Sequence, residues 1–240
     1  TDAFVQGYFE YDSKKSGGVT KSHLRVSKNE INSPYYIKKA NMIVCTKDSY
    51  LLRYNILDKI KNKGTFILVT NLKGQDLIDF LPNKVKNILF DKQINFYTID
   101  AFEIARRNNI PNKVSMIVET AMFKVGNLVP FDIIVEKIKD QVKKKFSKKG
   151  IEIVNSNINA IEESKEALNK IELNINDLNT YEEKTKLNIS DEILNKALKL
   201  EGNLLKVSDF ISHKDGSFEP NTSKLEKRNI AQNLPRWIKE

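Results

Sequence analysis

The start of the chain shows the period-two pattern of a β-ribbon. Residues 4–11 and 19–26 are rich in aromatic and β-branched side chains that alternate with polar ones, a pattern typical of half-buried strands. Between them lies a cluster of residues that favour turns, namely Asp12, Ser13, Ser16, Gly17 and Gly18. We therefore predict two paired strands joined by a short loop.

Short apolar runs then alternate with segments of helical spacing. The runs at residues 41–46, 65–70 and 94–99 predict buried strands. Strands that alternate with helices indicate βαβ units. The pattern therefore predicts an α/β fold, with a mainly parallel (mixed) sheet flanked by helices.

The helices between these strands have start and stop signals. Ser49 is a candidate cap for a helix that ends at Gly64 and carries Leu52, Ile56, Leu57 and Ile60 at helical spacing. Pro82 divides the stretch 76–89 into two short helices because proline lacks a backbone N–H. Asp100 is a candidate cap for a helix at 101–107.

The second half of the chain is helical by its spacing. Asn112 is a candidate cap for a helix at 113–125, a further helix covers 132–146, and helical spacing continues to about Ile171. Residues 174–203 are polar, with one amphipathic helix predicted at 191–200, and Pro220 and Pro235 predict an extended path beyond them. The predicted parts are a domain at 1–172, a linker at 173–207 and an extended segment at 208–240.

Length and cysteine content limit the class of protein. With 240 residues and 40% hydrophobic content, the chain is large enough for one or two domains. It has no apolar run near the ~20 residues that span a bilayer. Its single cysteine, Cys45, lies in an apolar run. We therefore predict a cytoplasmic protein in which Cys45 is a buried core residue rather than a nucleophile.

The formal net charge of +9 raises the question of nucleic acid, since lysine and arginine neutralise phosphates. The lysines are spread along the whole chain, however, and only residues 143–149 form a dense run. The composition therefore argues against nucleic acid and against a membrane as partners. A stand-alone basic nucleotide- or RNA-binding α/β module is the alternative function.

The loop of the ribbon carries the main candidate binding chemistry. Lys14 and Lys15 stand beside Gly17 and Gly18, and glycine lets backbone N–H groups approach an anion closely. The other interpretation is an ordinary lysine-bearing hairpin on a lysine-rich protein. Spacing alone favours that second interpretation.

The amino-acid sequence of the ribbon resembles that of a known protein family. Residues 8–25, YFEYDSKKSGGVTKSHLR, closely resemble the start of the third domain of single-chain pyruvate:ferredoxin (flavodoxin) oxidoreductases. They also resemble the weaker Gly-Gly-x-(Thr/Ser)-x-Ser-x-x-Arg pattern of the gamma subunits of multi-subunit 2-oxoacid oxidoreductases. Residues 120–132 and 143–164 look like the C-terminal helices of the same domain.

The end of the chain continues this resemblance. In the family, an Asp-Gly-x-Phe-x-Pro segment followed by Thr-x-x-x-Glu-Lys-Arg leads into a ferredoxin-like domain with two iron–sulfur clusters. The matching residues here are Asp215, Gly216, Phe218, Pro220, Thr222, Glu226, Lys227 and Arg228. The resemblance thus implies a fragment, a gamma-type domain plus the linker towards the ferredoxin-like domain. It also implies that the first strand and its glycine-rich turn are missing, which would expose a sheet edge and favour an oligomer.

The resemblance implies a parent enzyme that oxidises pyruvate with coenzyme A to acetyl-CoA and CO2 and passes electrons to ferredoxin or flavodoxin. That parent uses thiamine diphosphate, Mg2+ and iron–sulfur clusters. One cysteine cannot supply the thiolates of a cluster. We therefore expect the fragment to be inactive by itself, with no catalytic or metal-binding residues, and to have the other domains of the same enzyme as partners.

Coenzyme A is the ligand that the resemblance suggests for the ribbon, since its phosphates suit a glycine-rich turn with lysines. The candidate binding residues are Lys14, Lys15, Gly17, Gly18, Thr20, Ser22 and Arg25. In the competing interpretation, Arg25 and His23 are structural, and a third interpretation makes the chain a spacer without ligands. We expect His213 to be solvated and Trp237 to anchor packing.

Overall fold

The computed structural model of the chain describes residues 3–12, 18–127, 129–178, 191–222 and 235–238. The chain forms two compact units, one of Thr1–Lys38 with Thr185–Glu240 and one of Lys39–Lys184. The domain boundaries near residues 172 and 207 stay predictions. In the described ranges, the helices are all too short or too polar to cross a membrane.

The N-terminal ribbon forms as the alternating pattern predicts. Strand β1 (Phe4–Tyr11) pairs with strand β2 (Thr20–Ser27) in antiparallel register. The pairing runs from Phe4 opposite Ser27 to Tyr11 opposite Thr20. Most of the connecting loop, residues 13–17, lies outside the described residues.

The larger unit is built on a mixed sheet with the strand order β3-β4-β5-β6. Strands β3 (Ala40–Cys45), β4 (Ile60–Val69) and β5 (Asn95–Ile99) are parallel, and β6 (Asn169–Ile171) runs antiparallel to β5. The predicted α/β fold with a mainly parallel sheet and an N-terminal ribbon is therefore confirmed.

Helices cover both faces of this sheet, which explains why residues 66–69 of β4 are all apolar and buried. On one face, Phe66 and Leu68 of β4 pack in a core with helices α1 (Gly74–Phe80) and α2 (Asn83–Asp91). On the other face, Ile67 and Val69 pack with helices α3 (Ala101–Arg107), α4 (Ser115–Gly126) and α6 (Ile151–Ser164). A further apolar cluster joins helix α5 (Phe131–Phe146) to α6.

Two of the predicted helix signals are confirmed and one is wrong. Pro82 separates α1 from α2, and the side chain of Asp100 accepts a hydrogen bond of 3.0 Å from the backbone N–H of Glu103 at the start of α3. Asn112, however, does not cap α4. Its backbone is left-handed (φ 66°), so it belongs to a turn, and the helix begins three residues later at Ser115.

The helix predicted between β3 and β4 is wrong. A short 3-10 helix, Asp48–Leu52, is followed by turns, and Ile60 is already the first residue of β4. Ile60 pairs with Ala40, and three extra residues of β4 bulge out before Thr65 pairs with Met42. Gly64 lies inside the strand, where an added Cβ would come within 3.0 Å of the Asn41 carbonyl oxygen. Strand pairing thus overrides the local helical spacing.

The helix predicted to continue to Ile171 is also wrong at its end. Helix α6 stops at Ser164, and residues 169–171 form β6. This strand lies against the edge of β5, with Ile171 opposite Phe96 and Asn169 opposite Thr98. The backbone N–H and C=O groups of that edge thereby gain partners, which a longer helix would not supply.

The C-terminal segment contains the predicted short helix. Helix α7 (Glu192–Leu198) is capped by Asp191, whose Oδ1 accepts from the backbone N–H of Leu194 at 3.0 Å. Beyond it come two 3-10 helices, Gly202–Leu204 and Val207–His213. The extended path predicted from residue 208 is therefore wrong up to His213, because these residues form local i to i+3 turns.

Candidate functional site on the β-ribbon

The two faces of the ribbon differ sharply in polarity and in exposure. Side chains alternate across a strand, so paired residues of β1 and β2 share a face. One face, here called the apolar face, is exposed and consists of Val5, Gly7, Phe9, Tyr11, Thr20, Ser22, Leu24 and Val26. The opposite face, here called the polar face, is formed by Phe4, Gln6, Tyr8, Glu10, Lys21, His23, Arg25 and Ser27.

A hydrogen-bonded network centred on His23 occupies the polar face. Glu10 Oε1 accepts from Lys21 Nζ, and Glu10 Oε2 lies 3.1 Å from His23 Nε2. His23 Nδ1 accepts from the backbone N–H of Ile37 at 3.2 Å, and its ring stacks on Tyr36 with centroids 4.8 Å apart. Because Nδ1 accepts a hydrogen bond, the proton of the neutral ring lies on Nε2 and is donated to Glu10.

Arg25 is held on the same face by three contacts. Its Nη1 donates to Gln6 Oε1 at 2.8 Å, and its Nη2 donates to the carbonyl oxygen of Tyr35 at 2.6 Å. The guanidinium carbon also lies 5.0 Å from the centroid of the Tyr35 ring, within the range of a cation–π contact. Arg25 and His23 thus join the ribbon to residues 35–37, which favours their structural interpretation over a direct ligand role.

The apolar face is exposed to an extent that is unusual for large side chains. Val5 is 65% exposed, Phe9 60% and Tyr11 71%, and the rings of Phe9 and Tyr11 stack on each other at 6.1 Å. Leu24 and Val26 extend the same surface. Contiguous exposed apolar patches of this kind commonly mark interaction surfaces.

The predicted binding residues that the structure describes do not all lie on one surface of the ribbon. Thr20 and Ser22 lie on the apolar face, whereas Arg25 lies on the polar face. Lys14, Lys15 and Gly17 lie outside the described residues. The separation of Thr20 and Ser22 from Arg25 could have been predicted from the sequence, because residues an odd number apart in a strand point to opposite sides.

Steric contact explains why residue 18, at the end of the loop, is a glycine. An added Cβ at Gly18 would lie 2.6 Å from Cβ of Asp12 and 2.7 Å from its Oδ2. Such contacts are far shorter than van der Waals distance, so a side chain does not fit there. Glycine at this position is thus explained by its close approach to Asp12, whether or not the loop binds an anion.

Cys45 lies in the larger unit as a core residue. Its side chain is buried, and its Sγ lies 3.1 Å from the carbonyl oxygen of Lys47. Burial raises the pKa of the Cys45 thiol to about 11. The thiolate is therefore disfavoured, and the prediction that Cys45 is a buried core residue is confirmed.

Polar side chains at the carboxyl ends of the parallel strands are engaged in local structure. This edge is the usual ligand position in open α/β sheets. Asp48 Oδ2 accepts from Thr70 Oγ1 at 3.0 Å, and Asp100 caps α3. Within the described ranges, there is also no group of three His, Cys, Asp or Glu residues arranged to hold a metal ion.

The sequence prediction missed the role of His213. Its side chain is only 14% exposed, its Nε2 lies 2.9 Å from Asp191 Oδ2, and its ring stacks on Phe218. The prediction of a solvated histidine is therefore wrong. Trp237, predicted to anchor packing, is 86% exposed, so its anchoring role stays a prediction.

Comparison with known proteins gives two family matches. The family model described as pyruvate ferredoxin/flavodoxin oxidoreductase matches residues 1–167. A second model, described as a domain of unknown function, matches residues 182–231. The second match begins inside the polar stretch 174–203 and continues to residue 231.

Two similar proteins are much longer than this chain. The pyruvate:ferredoxin oxidoreductase of Moorella thermoacetica is 40% identical over 245 residues, which cover 100% of this chain and 21% of that protein. The pyruvate-flavodoxin oxidoreductase of Enterobacter agglomerans is 37% identical, with 99% and 20% covered. The chain thus spans about a fifth of the length of the curated relatives that it matches.

A solved structure supports the fold. The pyruvate oxidoreductase subunit PORC of Thermotoga maritima superposes with a TM-score of 0.54 at 17% identity, covering 71% of this chain and 83% of that subunit. At this level of identity the likeness concerns the fold alone.

Proposed function

Since the chain belongs to the pyruvate ferredoxin/flavodoxin oxidoreductase family, we propose that it is the gamma-type part of an enzyme that converts pyruvate and coenzyme A to acetyl-CoA and CO2. The electrons pass to ferredoxin or flavodoxin, as the names of the relatives indicate for those proteins. A cytoplasmic location, predicted from the single cysteine, belongs to the same proposal.

The redox cofactors of such an enzyme do not fit the residues of this chain. An iron–sulfur cluster needs several thiolates, and the one cysteine here is buried with a raised pKa. In the part of the chain that the structure describes, the carboxylates at the sheet edge serve turns and caps. We therefore assign no chemical step of the reaction to this chain.

The role that the geometry supports best is packing of the ribbon against other domains of the same enzyme. The polar face of the ribbon is already engaged with residues 35–37, while the apolar face is exposed. Burial of a Val, Leu or Phe side chain stabilises by about 1.5–3 kcal/mol, so this surface is able to contribute substantially to docking. Because the relatives are about five times longer, their remaining length supplies the docking partner.

The test is Phe9→Ser in the full-length oxidoreductase and in the 240-residue chain. Phe9 is exposed in the chain alone, so at low concentration, where the chain does not self-associate, we expect the substitution to leave its melting temperature unchanged. It should lower the melting temperature of the full-length enzyme by a few degrees. Ile175→Ser, at an equally exposed position in the larger unit, is the matched control. An unchanged melting temperature of the full-length Phe9→Ser enzyme would contradict the packing role.

Binding of coenzyme A at the ribbon loop is the second candidate function. It is supported by the two lysines of the loop, Lys14 and Lys15, beside Gly17 and Gly18. The ribbon geometry limits the site, because Thr20 and Ser22 face away from Arg25. A phosphate group bound at the loop would therefore contact either Thr20 and Ser22 or Arg25.

Calorimetric titration of the full-length enzyme with coenzyme A tests this second function. The double variant Lys14→Gln/Lys15→Gln should weaken binding about tenfold or more, since charge-assisted contacts to phosphate are lost. The control is Lys148→Gln/Lys149→Gln, which removes the same charge at exposed positions far along the chain. Equal affinities of the two double variants would exclude the loop as the phosphate site.

A further inference from the structure

Helix α7 ends in a motif that normally requires glycine. The backbone N–H of Leu200 donates to the Ala197 carbonyl oxygen at 3.1 Å, and that of Glu201 donates to the Lys196 carbonyl oxygen at 2.8 Å. These are the two hydrogen bonds of a Schellman motif, in which the residue after the C-cap is left-handed and usually glycine. Here that residue is Leu200, with φ 61°.

A leucine at a left-handed position is conformationally unfavourable relative to glycine. Residues that break a local rule in this way commonly serve a contact elsewhere in the fold. The nearest glycine, Gly202, lies two residues after Leu200 and begins a 3-10 helix. The identity of Leu200 is therefore better explained by its side chain than by its backbone.

The side chain of Leu200 lies at the base of the β-ribbon. It lines a cavity of about 220 Å³ together with Glu10 and Tyr11 of β1, Asp12, and Val19 just before β2. Val19 is only 5% exposed. Leu200 is 43% exposed, and both segments belong to the same compact unit, so the end of α7 borders this cavity beside the Tyr11–Thr20 end of the ribbon.

The segment that presents Leu200 is itself held together by side chains. Asp191 caps α7 with Oδ1 and contacts His213 Nε2 with Oδ2 at 2.9 Å. His213 Nδ1 lies 2.8 Å from the carbonyl oxygen of Ser217, and its ring stacks on Phe218 at 4.3 Å. Both ring nitrogens of His213 thus lie beside oxygen atoms of the same segment.

A second contact joins α7 to the 3-10 helix Val207–His213. Lys196 Nζ lies 2.7 Å from Glu192 Oε1 and 3.7 Å from Asp209 Oδ2. Further on, Asp215 Oδ1 accepts from the backbone N–H and the hydroxyl of Ser217, and Gly216 has φ 75°. The Asp-Gly-x-Phe residues thus form a turn that places Phe218 against His213.

We propose that residues 191–222, which lie within the match to a domain of unknown function, form a clasp that holds the base of the β-ribbon through Leu200. Asp191 and His213 are positioning residues that keep the clasp closed. This role is independent of whether the ribbon docks onto another domain or binds coenzyme A.

The test is native-state hydrogen exchange of the 240-residue chain with Leu200→Gly. Glycine fits the left-handed backbone, so α7 keeps its end while the side chain is removed. We expect exchange of the ribbon amides at the Tyr11–Thr20 end to accelerate on the order of tenfold. Amides at the Phe4–Ser27 end and in β4 should keep their wild-type rates.

Leu204→Gly is the control, because Leu204 belongs to the same segment but does not line the cavity. Wild-type or slower exchange at the ribbon base in Leu200→Gly would overturn the proposal, since Leu200 would then be only a helix terminus. An equal acceleration in β4 would overturn it as well, because the effect would be global. No pyruvate, coenzyme A or additional domain is needed, so this test is separate from those of the proposed function.

Discussion

Arg25 donates a hydrogen bond of 2.6 Å to the main-chain oxygen of Tyr35 and at the same time lies over the ring of that tyrosine, 5.0 Å from its centroid. One residue thus supplies both the acceptor and the aromatic surface for the guanidinium. The contact joins β2 to the loop that leaves the ribbon. The contact also explains why an arginine stands at the last position of the Gly-Gly-x-(Thr/Ser)-x-Ser-x-x-Arg pattern, and this explanation needs no ligand.

Arg25→Lys should destabilise the chain although the charge is kept. Lysine lacks the planar fork that reaches Gln6 and Tyr35 together, so we expect a loss of about 1 kcal/mol in the free energy of unfolding. The measurement is urea denaturation. Arg106→Lys is the control because Arg106 makes an exposed i,i+3 pair with Glu103. Equal effects of the two substitutions would contradict the structural role of Arg25.

Gly18→Ala should destabilise the ribbon, whereas Gly7→Ala should not. The new methyl group at residue 18 would overlap Asp12, while nothing lies within 4 Å of a Cβ at residue 7. We expect a loss of about 1–3 kcal/mol for Gly18→Ala and a change within about 0.5 kcal/mol for Gly7→Ala, both by urea denaturation.

A second-site change provides the decisive control for this prediction. Asp12→Gly removes the atoms that the methyl group would meet. The double variant Gly18→Ala/Asp12→Gly should therefore recover part of the stability lost in Gly18→Ala, measured against Asp12→Gly alone. If Gly18→Ala costs the same in both backgrounds, the steric explanation of Gly18 is wrong.

Glu119→Gln should stabilise the chain at neutral pH. Burial raises the pKa of Glu119 above 4.5, and Lys145 offsets this only in part. A carboxyl group whose pKa is raised by folding favours the folded state at low pH, and this contribution is lost as the pH rises through the folded pKa. Thermal melts at pH 7 should therefore show a higher melting temperature for Glu119→Gln, and the difference should disappear below pH 4.5.

Glu162→Gln should show the opposite dependence. Hydrogen bonds from Lys139 and Lys165 lower the pKa of Glu162 below 4.5. Its contribution to stability is therefore present above pH 4.5 and is lost as the pH falls through the lowered pKa. The ion pairs are partly exposed, so we expect a loss of about 0.5 kcal/mol at pH 7. A loss that persists undiminished at acid pH would show that charge is not its cause.

The isolated chain should self-associate. Strand β3 lies at the edge of the sheet, unpaired on its outer side by any strand among the described residues, and the apolar face of the ribbon is exposed. Light scattering at rising concentration should show a growing mass. Phe9→Lys should reduce this association and Ile151→Lys, at an exposed position at the start of α6, should not. A strictly monomeric mass of the wild-type chain at high concentration would contradict the prediction.

Local patterns in the sequence were sufficient for much of this protein. Period-two alternation predicted β1 and β2, buried apolar runs predicted the parallel strands, and Pro82 and Asp100 marked the ends of helices. These signals act within a few residues, through steric limits on the backbone and through caps, although the caps predicted at Ser49 and Asn112 were wrong. The family resemblance rested on residues 8–25, on two later stretches and on the end of the chain, and the family was confirmed over residues 1–167.

The tertiary structure decided what depends on partners distant in sequence. Ile60 joins a strand because Ala40 lies beside it, and residues 169–171 form β6 because the edge of β5 has unpaired backbone groups. The engagement of Arg25 with Tyr35 and the approach of Leu200 to the ribbon base likewise depend on how the chain returns on itself. Helical spacing and polar composition carry no information about such long-range pairs, because the free energy that selects them comes from contacts made only in the folded chain.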